Sequence, residues 1–247
     1  MTDKLYLLMN APADLLSTPL AHSFGVCERH SHGMWEEPLN VVSSLCFFIA
    51  GFLNFHYYFY NPEISQKRIL DIHILTILTF CIGVASTLFH MMPNYYTELL
   101  DILFIVIFIN VFFFSVMIRL VGLNWFQITI CYLAFIGSTH IMISHFPNAL
   151  NDSVAYLSSM GTLVFVAIYL NSKRRASARQ FLLASIVGIC SLFFRIIDKG
   201  VCSVLPTGSH FLWHVCNSLL VFILLRQLIR SVNRRARMLR MASEYGL

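Results

Sequence analysis

The stretch TELLDILFIVIFINVFFFSVMI, residues 97–118, carries only two charged side chains, Glu98 and Asp101, and both lie near its start. An α-helix needs about 20 predominantly apolar residues to cross the hydrocarbon core of a bilayer. This stretch has that length and contains neither proline nor glycine, the residues that most weaken a helix interior. It therefore predicts a transmembrane helix.

Six further apolar segments flank this one, at roughly residues 40–59, 70–90, 124–143, 153–171, 180–197 and 210–229. Only 12% of the 247 residues are charged, whereas soluble domains contain about a quarter charged residues. We therefore predict an all-α, polytopic membrane protein built as a bundle of seven transmembrane helices. Residues 1–39 would form an extramembrane segment, residues 40–230 the transmembrane domain, and residues 231–247 a basic tail.

The basic residues are distributed unevenly over this topology. Thirteen lysines and arginines fall in the first, third and fifth connections and at the C-terminal end, and four fall on the other side. Because cytosolic loops are enriched in these residues, the N-terminus is predicted outside or lumenal and the C-terminus cytosolic. The membrane would be the plasma (inner) membrane of a bacterium or the endoplasmic reticulum or Golgi of a eukaryote. The arginine-rich tail is expected to contact anionic lipid head groups, and nucleic acid is not an expected partner.

Five polar residues interrupt the apolar segments: Ser86, His90, Asp101, His210 and His214. Ionisable side chains at membrane depth are costly and by default indicate function. Ser86 and His90 are four residues apart, as are His210 and His214, so each pair shares one helical face. Because helix directions alternate, all five residues fall in the outer half of the bilayer. One site can therefore contain all of them.

Three imidazoles, a carboxylate and a hydroxyl are the groups that a catalytic zinc site needs. His90, His210 and His214 are the candidate zinc ligands, because catalytic zinc takes three protein ligands and keeps one position for water. Asp101 is the candidate general base or outer partner, and Ser86 could reach the water or an oxyanion. The alternatives are that Asp101 is a structural partner of a helix and that Ser86 bonds a backbone carbonyl.

The order of these residues resembles that of the alkaline ceramidases. It runs S-x3-H, then an aspartate eleven residues after that histidine, then H-x3-H in the last helix. The alkaline ceramidases belong to a wider superfamily of seven-helix membrane hydrolases that includes adiponectin-receptor-like proteins. Three further stretches are similar to theirs: CERHSHGMWEEPLNVVSSL at 27–45, FFRIIDKGVC at 193–202 and GSHFLWHVCNSLL at 208–220.

The resemblance implies the same zinc ligands, with Asp101 taking a proton from the water and Ser86 stabilising the oxyanion. It implies hydrolysis of the amide bond of a ceramide-like N-acyl lipid to a fatty acid and a sphingoid base. Two other functions stay open, a receptor or sensor with a structural zinc and a zinc hydrolase of another lipid ester or amide. Three protein ligands favour an enzyme, because structural zinc sites are usually closed by four.

The N-terminal stretch departs from the eukaryotic members of this family. Those members resemble one another in a calcium site opened by an Asp-Trp-Cys-Glu-x-Asn run, whereas residues 25–30 here are GVCERH. Glu28 and Glu37 match two carboxylates and are the candidate calcium ligands, although calcium prefers six or more oxygens. In the alternative interpretation they make hydrogen bonds or salt bridges that cap the first helix. The shorter spacing resembles the bacterial branch.

Cys27 and Cys202 are the two of the seven cysteines that fall outside predicted helix interiors. Both map to the outer face, where an oxidising compartment permits a disulfide, and the family resemblance points to the same pairing. A disulfide between them is therefore the hypothesis. The alternative is that either cysteine binds zinc.

Overall fold

The computed structural model describes residues 26–31, 33–60, 69–147 and 149–245. Most of the predicted N-terminal segment lies outside this part, as do Lys67 and Arg68 of the first connection. The described residues are helical, with no strand among them, and seven helices are long and apolar enough to cross a membrane. The all-α, seven-helix prediction is confirmed. The helices are α1 (Pro38–Phe59), α2 (Leu70–Met91), α3 (Tyr95–Val121), α4 (Trp125–His145), α5 (Ala155–Ser172), α6 (Ala178–Val201) and α7 (His210–Tyr245).

The last helix is longer than the apolar pattern indicates. The sequence predicts a transmembrane helix over residues 210–229 followed by a basic tail at 231–247, and in the structure α7 continues without a break to Tyr245. The apolar segment ends where the membrane would end. The backbone hydrogen bonds of a helix do not require apolar side chains, so the helix can extend beyond that point. Half of the sixteen residues at 230–245 are arginine, methionine or leucine, which are good helix formers.

The α7 helix is at the centre of the bundle and α4 is at its edge. In the most apolar 18-residue stretch of α7, 56% of the residues are buried, whereas the corresponding value for α4 is 6%. Two apolar clusters form the core, one including Leu220 and Leu224 of α7 and the other including Val221 and Leu225. Because successive residues of α7 point into different clusters, this helix holds the two halves of the core together.

A tight turn brings the end of α2 beside the start of α3. Asn94 forms a capping box there, since its side chain accepts the backbone N–H groups of Tyr96 and Thr97 while the Thr97 hydroxyl accepts the N–H of Asn94. These bonds satisfy donors that the first turn of a helix leaves without partners. The turn therefore positions the polar residues of the two helices at one end of the bundle.

A buried carboxylate fixes the start of α7. Asp198 Oδ1 accepts the backbone N–H groups of Ser209 (2.6 Å) and His210 (2.8 Å), and Oδ2 accepts that of Cys27 (3.3 Å). A carboxylate at a helix N-terminus both satisfies free N–H groups and complements the helix dipole. One side chain of α6 thereby sets the position of His210 and ties the N-terminal segment to it.

Gly208 makes this cap possible. Its φ is +64°, and a Cβ atom there would collide with the Asp198 carboxylate and lie 2.7 Å from Cβ of Cys27. We expect Gly208→Ala to lower the free energy of unfolding by about 2 kcal/mol or more, through backbone strain and loss of the cap. Thermal unfolding in detergent measures the effect.

The matched control is Gly161→Ala, because that glycine lies within α5 and a Cβ there meets no atom within 4 Å. This change should leave the melting temperature unchanged or raise it, since alanine favours helix. Equal melting temperatures for the two variants would contradict the role of Gly208.

Candidate metal centre

Three buried histidines meet at one end of the bundle. His90 is at the end of α2, and His210 and His214 occupy the first turns of α7. One ring nitrogen from each lies within 4.8 Å of the others, and Nε2 of His90 is 3.2 Å from Nε2 of His214. The structure therefore brings together the three side chains that the sequence named as ligands, in a cluster that could hold a metal ion.

The hydrogen bonds on the opposite ring nitrogens determine the tautomers. His90 Nδ1 bonds the carboxylate of Glu37, and His214 Nδ1 lies 3.2 Å from the backbone oxygen of Asn40. An ionised carboxylate and a carbonyl oxygen only accept hydrogen bonds, so each Nδ1 carries its proton. His214 Nδ1 is also 2.8 Å from the hydroxyl of Ser43, which itself donates to Asn40 O and so accepts from the histidine.

With both Nδ1 atoms protonated, each Nε2 has a lone pair. The two lone pairs face each other at 3.2 Å, a contact that a bound cation stabilises. In tetrahedral zinc coordination with Zn–N of about 2.0–2.1 Å, two ligand nitrogens lie about 3.3–3.4 Å apart. The spacing and the tautomers of His90 and His214 therefore fit a zinc ion.

The residues that orient the two histidines form a polar face on the first turns of α1. Glu37, Asn40 and Ser43 are three residues apart and are all buried. From the sequence, Glu37 was given a different role, and Asn40 and Ser43 were part of the family motif but were given no role. The sequence does contain a signal for them, because polar residues at i, i+3 and i+6 share one helical face. A membrane helix with such a face turns it towards the interior of the bundle.

An arginine from the N-terminal segment completes this network. Nε of Arg29 bonds the Glu37 carboxylate, and Nη2 donates to the backbone oxygen of His90 at 2.9 Å. Burial alone would raise the pKa of Glu37, but its hydrogen bonds with His90 and Arg29 and the positive charge of Arg29 hold this pKa below its ordinary value. Glu37 is therefore ionised at neutral pH and is a strong acceptor for the His90 N–H.

The two glutamates proposed as calcium ligands have other partners. Both oxygens of Glu28 accept backbone N–H groups at the start of α1, from Leu39 (2.7 Å) and Asn40 (3.0 Å). Both oxygens of Glu37 are also engaged, and the positive guanidinium of Arg29 lies against them. This donor set does not fit a calcium ion, which takes six or more oxygens. The contacts agree with the alternative interpretation of helix capping and salt bridging.

Asp101 and Ser86 belong to the same end of the bundle. Asp101 is near enough to His90 for electrostatic interaction, and its buried Oδ1 makes no hydrogen bond to any described residue. A buried acceptor in this state is typical of a group whose partner is a water, ion or ligand. Ser86 instead bonds the hydroxyl of Ser44 at 2.9 Å. Since Ser44 also donates to Asn40 O at 2.8 Å, Ser86 is the donor in that bond.

A disulfide joins Cys27 to Cys202 in the structure, with Cα atoms 5.1 Å apart. It links the N-terminal segment to the connection between α6 and α7, beside the Asp198 cap. Neither cysteine contributes to the histidine cluster. The structure therefore brings this predicted pair together and does not place either cysteine as a metal ligand.

In the described part of the chain, seven helices long and apolar enough to span a membrane surround a buried histidine cluster, which defines a multi-pass integral membrane protein with a candidate metal centre. A family model described as Ceramidase matches residues 27–244. The chain therefore belongs to the ceramidase family, as its motifs predicted. Neither the comparison with curated proteins nor the comparison with solved structures gives a match.

The contact between Glu37 and His90 makes a prediction about metal affinity. The Glu37 carboxylate holds the His90 ring in position and raises the basicity of that ring. Glu37→Gln removes this charge, so zinc affinity should fall by about 10–100-fold. Competition with a chromogenic chelator measures this affinity. Glu36→Gln is the matched control and should retain wild-type affinity, because no hydrogen bond or ion pair among the described residues joins Glu36 to the three histidines. Equal affinities for the two variants would remove Glu37 from the site.

The contacts of Glu28 and Glu37 also predict that calcium has no effect on the folded protein. Calcium at 1 mM should leave the melting temperature unchanged, as should EGTA. A site with a Kd of about 10 μM would instead stabilise the protein by about 2.7 kcal/mol at that concentration. Differential scanning fluorimetry in detergent gives the comparison, and a calcium-dependent rise of several degrees would show that a site exists.

Proposed function

We propose that this protein is a zinc-dependent intramembrane hydrolase that cleaves the amide bond of a ceramide-like N-acyl lipid to a fatty acid and a sphingoid base. The observation that carries the zinc assignment is the 3.2 Å approach of two Nε2 atoms whose rings are both protonated on Nδ1. The family match supports the reaction class. His90, His210 and His214 would hold the zinc, with Glu37 and Ser43 orienting two of these rings.

Held by His90, His210 and His214, a zinc ion would lower the pKa of a bound water towards neutrality and polarise the amide carbonyl. Asp101 accepts the proton of the attacking water and delivers it to the leaving amine. Its buried, unpartnered Oδ1 supports this role, because a base needs a free acceptor beside the nucleophile. Ser86 stabilises the oxyanion. For that step Ser44 has to donate its proton to Ser86 in place of Asn40 O, which frees the Ser86 hydroxyl hydrogen.

An apolar cavity supports a lipid substrate. Its volume is about 110 Å³, and all seven helices contribute to its wall. Trp213 lines it, and this residue lies on α7 between His210 and His214. A chain of methylene groups in the cavity would therefore have its polar end within a turn of the candidate ligands. The residues of the wall include Phe47, Ile82, Phe108, Phe135, Leu163, Leu192 and Leu220.

We further propose that the metal centre is on the non-cytosolic side. A cleft at the other end of the bundle is lined by Arg119, Arg174, Arg175 and Arg234. This clustering supports the topology predicted from the positive-inside rule and a tail that contacts anionic lipid head groups. The disulfide lies at the metal end, which agrees with an oxidising compartment there.

Metal analysis combined with a lipid hydrolysis panel tests the proposed function. The purified protein should contain one zinc and release fatty acid from an N-acyl sphingoid lipid. His214→Ala should lose zinc and activity together. Asp101→Asn should keep zinc and lose about 10²–10⁴-fold in rate, since a general base contributes that much. Mass spectrometry of the released acids measures the rate.

The matched control is His140→Ala, because His140 lies exposed on the peripheral helix α4 and should be dispensable. The panel also contains a lipid ester and a second N-acyl amide. Preferred cleavage of either one would show that the protein is a hydrolase of another lipid. Full zinc content without hydrolysis of any lipid in the panel would favour a receptor or sensor. Unchanged zinc and activity in His214→Ala would end the proposal.

A further inference from the structure

An arginine lies next to the candidate metal centre and has no role in the chemistry above. Arg195 is on α6, one turn before the capping residue Asp198. The central carbon of its guanidinium is 5.1 Å from the ring centroid of Trp213 and 5.5 Å from that of Tyr156. Because Trp213 lies between two of the candidate ligands along α7, Arg195 is one side chain away from the cluster.

The guanidinium of Arg195 is only partly satisfied. Its Nε donates to the hydroxyl of Ser153 at 3.0 Å, and within the described ranges neither terminal nitrogen donates a hydrogen bond. The four ion pairs found among the described residues do not include it. Asp101 is near enough to interact electrostatically but is not within ion-pair distance. An arginine at membrane depth without a paired anion is costly, and by default it indicates a ligand.

The shape of the group indicates which anion would pair with it. A guanidinium presents two parallel N–H groups that match the two oxygens of a carboxylate. The rings of Trp213 and Tyr156 flank the group, and these contacts restrict its rotation. The two free terminal nitrogens therefore form a fixed fork that is ready to bind a planar anion.

The surroundings indicate what the anion is attached to. Tyr156 and Trp213, the two rings beside Arg195, also line the apolar cavity within the bundle. The guanidinium is thus next to a space that favours a hydrocarbon chain. A carboxylate at the end of such a chain satisfies both features at once, which neither a free inorganic anion nor an uncharged lipid does.

We propose that Arg195 forms a binding site for the carboxylate of a long-chain fatty acid, whose chain extends from the arginine into the apolar cavity. The identification of this ligand as the reaction product rests on the proposed function. An amide substrate is neutral at this position, so the ion pair with Arg195 forms only after cleavage. The site therefore binds the released fatty acid more tightly than the uncleaved acyl group, which makes product release slow and the fatty acid an inhibitor.

Binding of palmitate and of hexadecanol to the purified protein in detergent at pH 8 tests this site, with affinities measured by microscale thermophoresis. The two ligands have the same chain length, but only palmitate carries a charge. The wild type should bind palmitate about tenfold or more tightly than hexadecanol, since hydrogen bonds to charged groups are among the strongest. Equal affinities in the wild type would overturn the proposal without recourse to any variant.

Arg195→Gln should weaken palmitate binding by about tenfold or more and leave hexadecanol binding unchanged. A contribution of a bound metal to palmitate binding is the same in both proteins and cancels in the comparison. Ser153→Ala is the matched control, because it removes the partner of Nε and keeps the charge, and it should keep the preference for palmitate. An unchanged preference in folded Arg195→Gln would overturn the proposal.

Two further outcomes separate this inference from others. Hexadecyl phosphate that binds more tightly than palmitate would overturn the choice of a carboxylate. Arg195-dependent palmitate binding in a protein that hydrolyses no lipid amide would keep the site and refute the proposed function. If the protein is an active amidase and Arg195→Gln leaves its palmitate affinity unchanged, the proposed function stands and the Arg195 site is refuted.

Discussion

The hydrogen bonds on Nδ1 of His90 and His214 determine where the metal-binding electron pairs of these rings point. With Glu37 on one ring and Asn40 and Ser43 on the other, both Nε2 lone pairs face the same small volume. Rotation of either ring would separate the lone pairs and leave a buried polar group without a partner, which costs about 1–3 kcal/mol. The rings of the candidate metal centre are therefore held in place by residues outside the histidine cluster.

The polar face of α1 connects this centre to the rest of the molecule. Glu28 accepts backbone N–H groups at the start of α1, and Glu37 at the same end of the helix bonds His90 of α2. Arg29 pairs with Glu37 and donates to the backbone oxygen of His90. A fixed positive charge of the chain thus lies beside Glu37, one of the two carboxylates proposed to bind a cation. At the other side of the site, Asp198 joins α6, α7 and the N-terminal segment through three backbone N–H groups.

Much of the architecture could be predicted because a bilayer imposes length and apolarity on every spanning helix. Spacing and alternating helix direction were enough to select His90, His210 and His214, and the structure brings these residues together. The same pattern could not predict that Glu37 orients His90, since its partner is 53 residues away and no periodicity relates them. The continuation of α7 to Tyr245 was also missed, because hydropathy reports where a membrane ends and not where a helix ends.

Composition and spacing along the chain were sufficient to establish the class of fold, the family and the set of ionisable residues at membrane depth. Contacts in the folded molecule were needed to show which nitrogen of His90 and of His214 faces the centre, which partners Glu28 and Glu37 have, and which rings surround Arg195. These features depend on contacts between helices that are distant in the chain. Packing sets such contacts through the direction of individual side chains, which residue order does not specify.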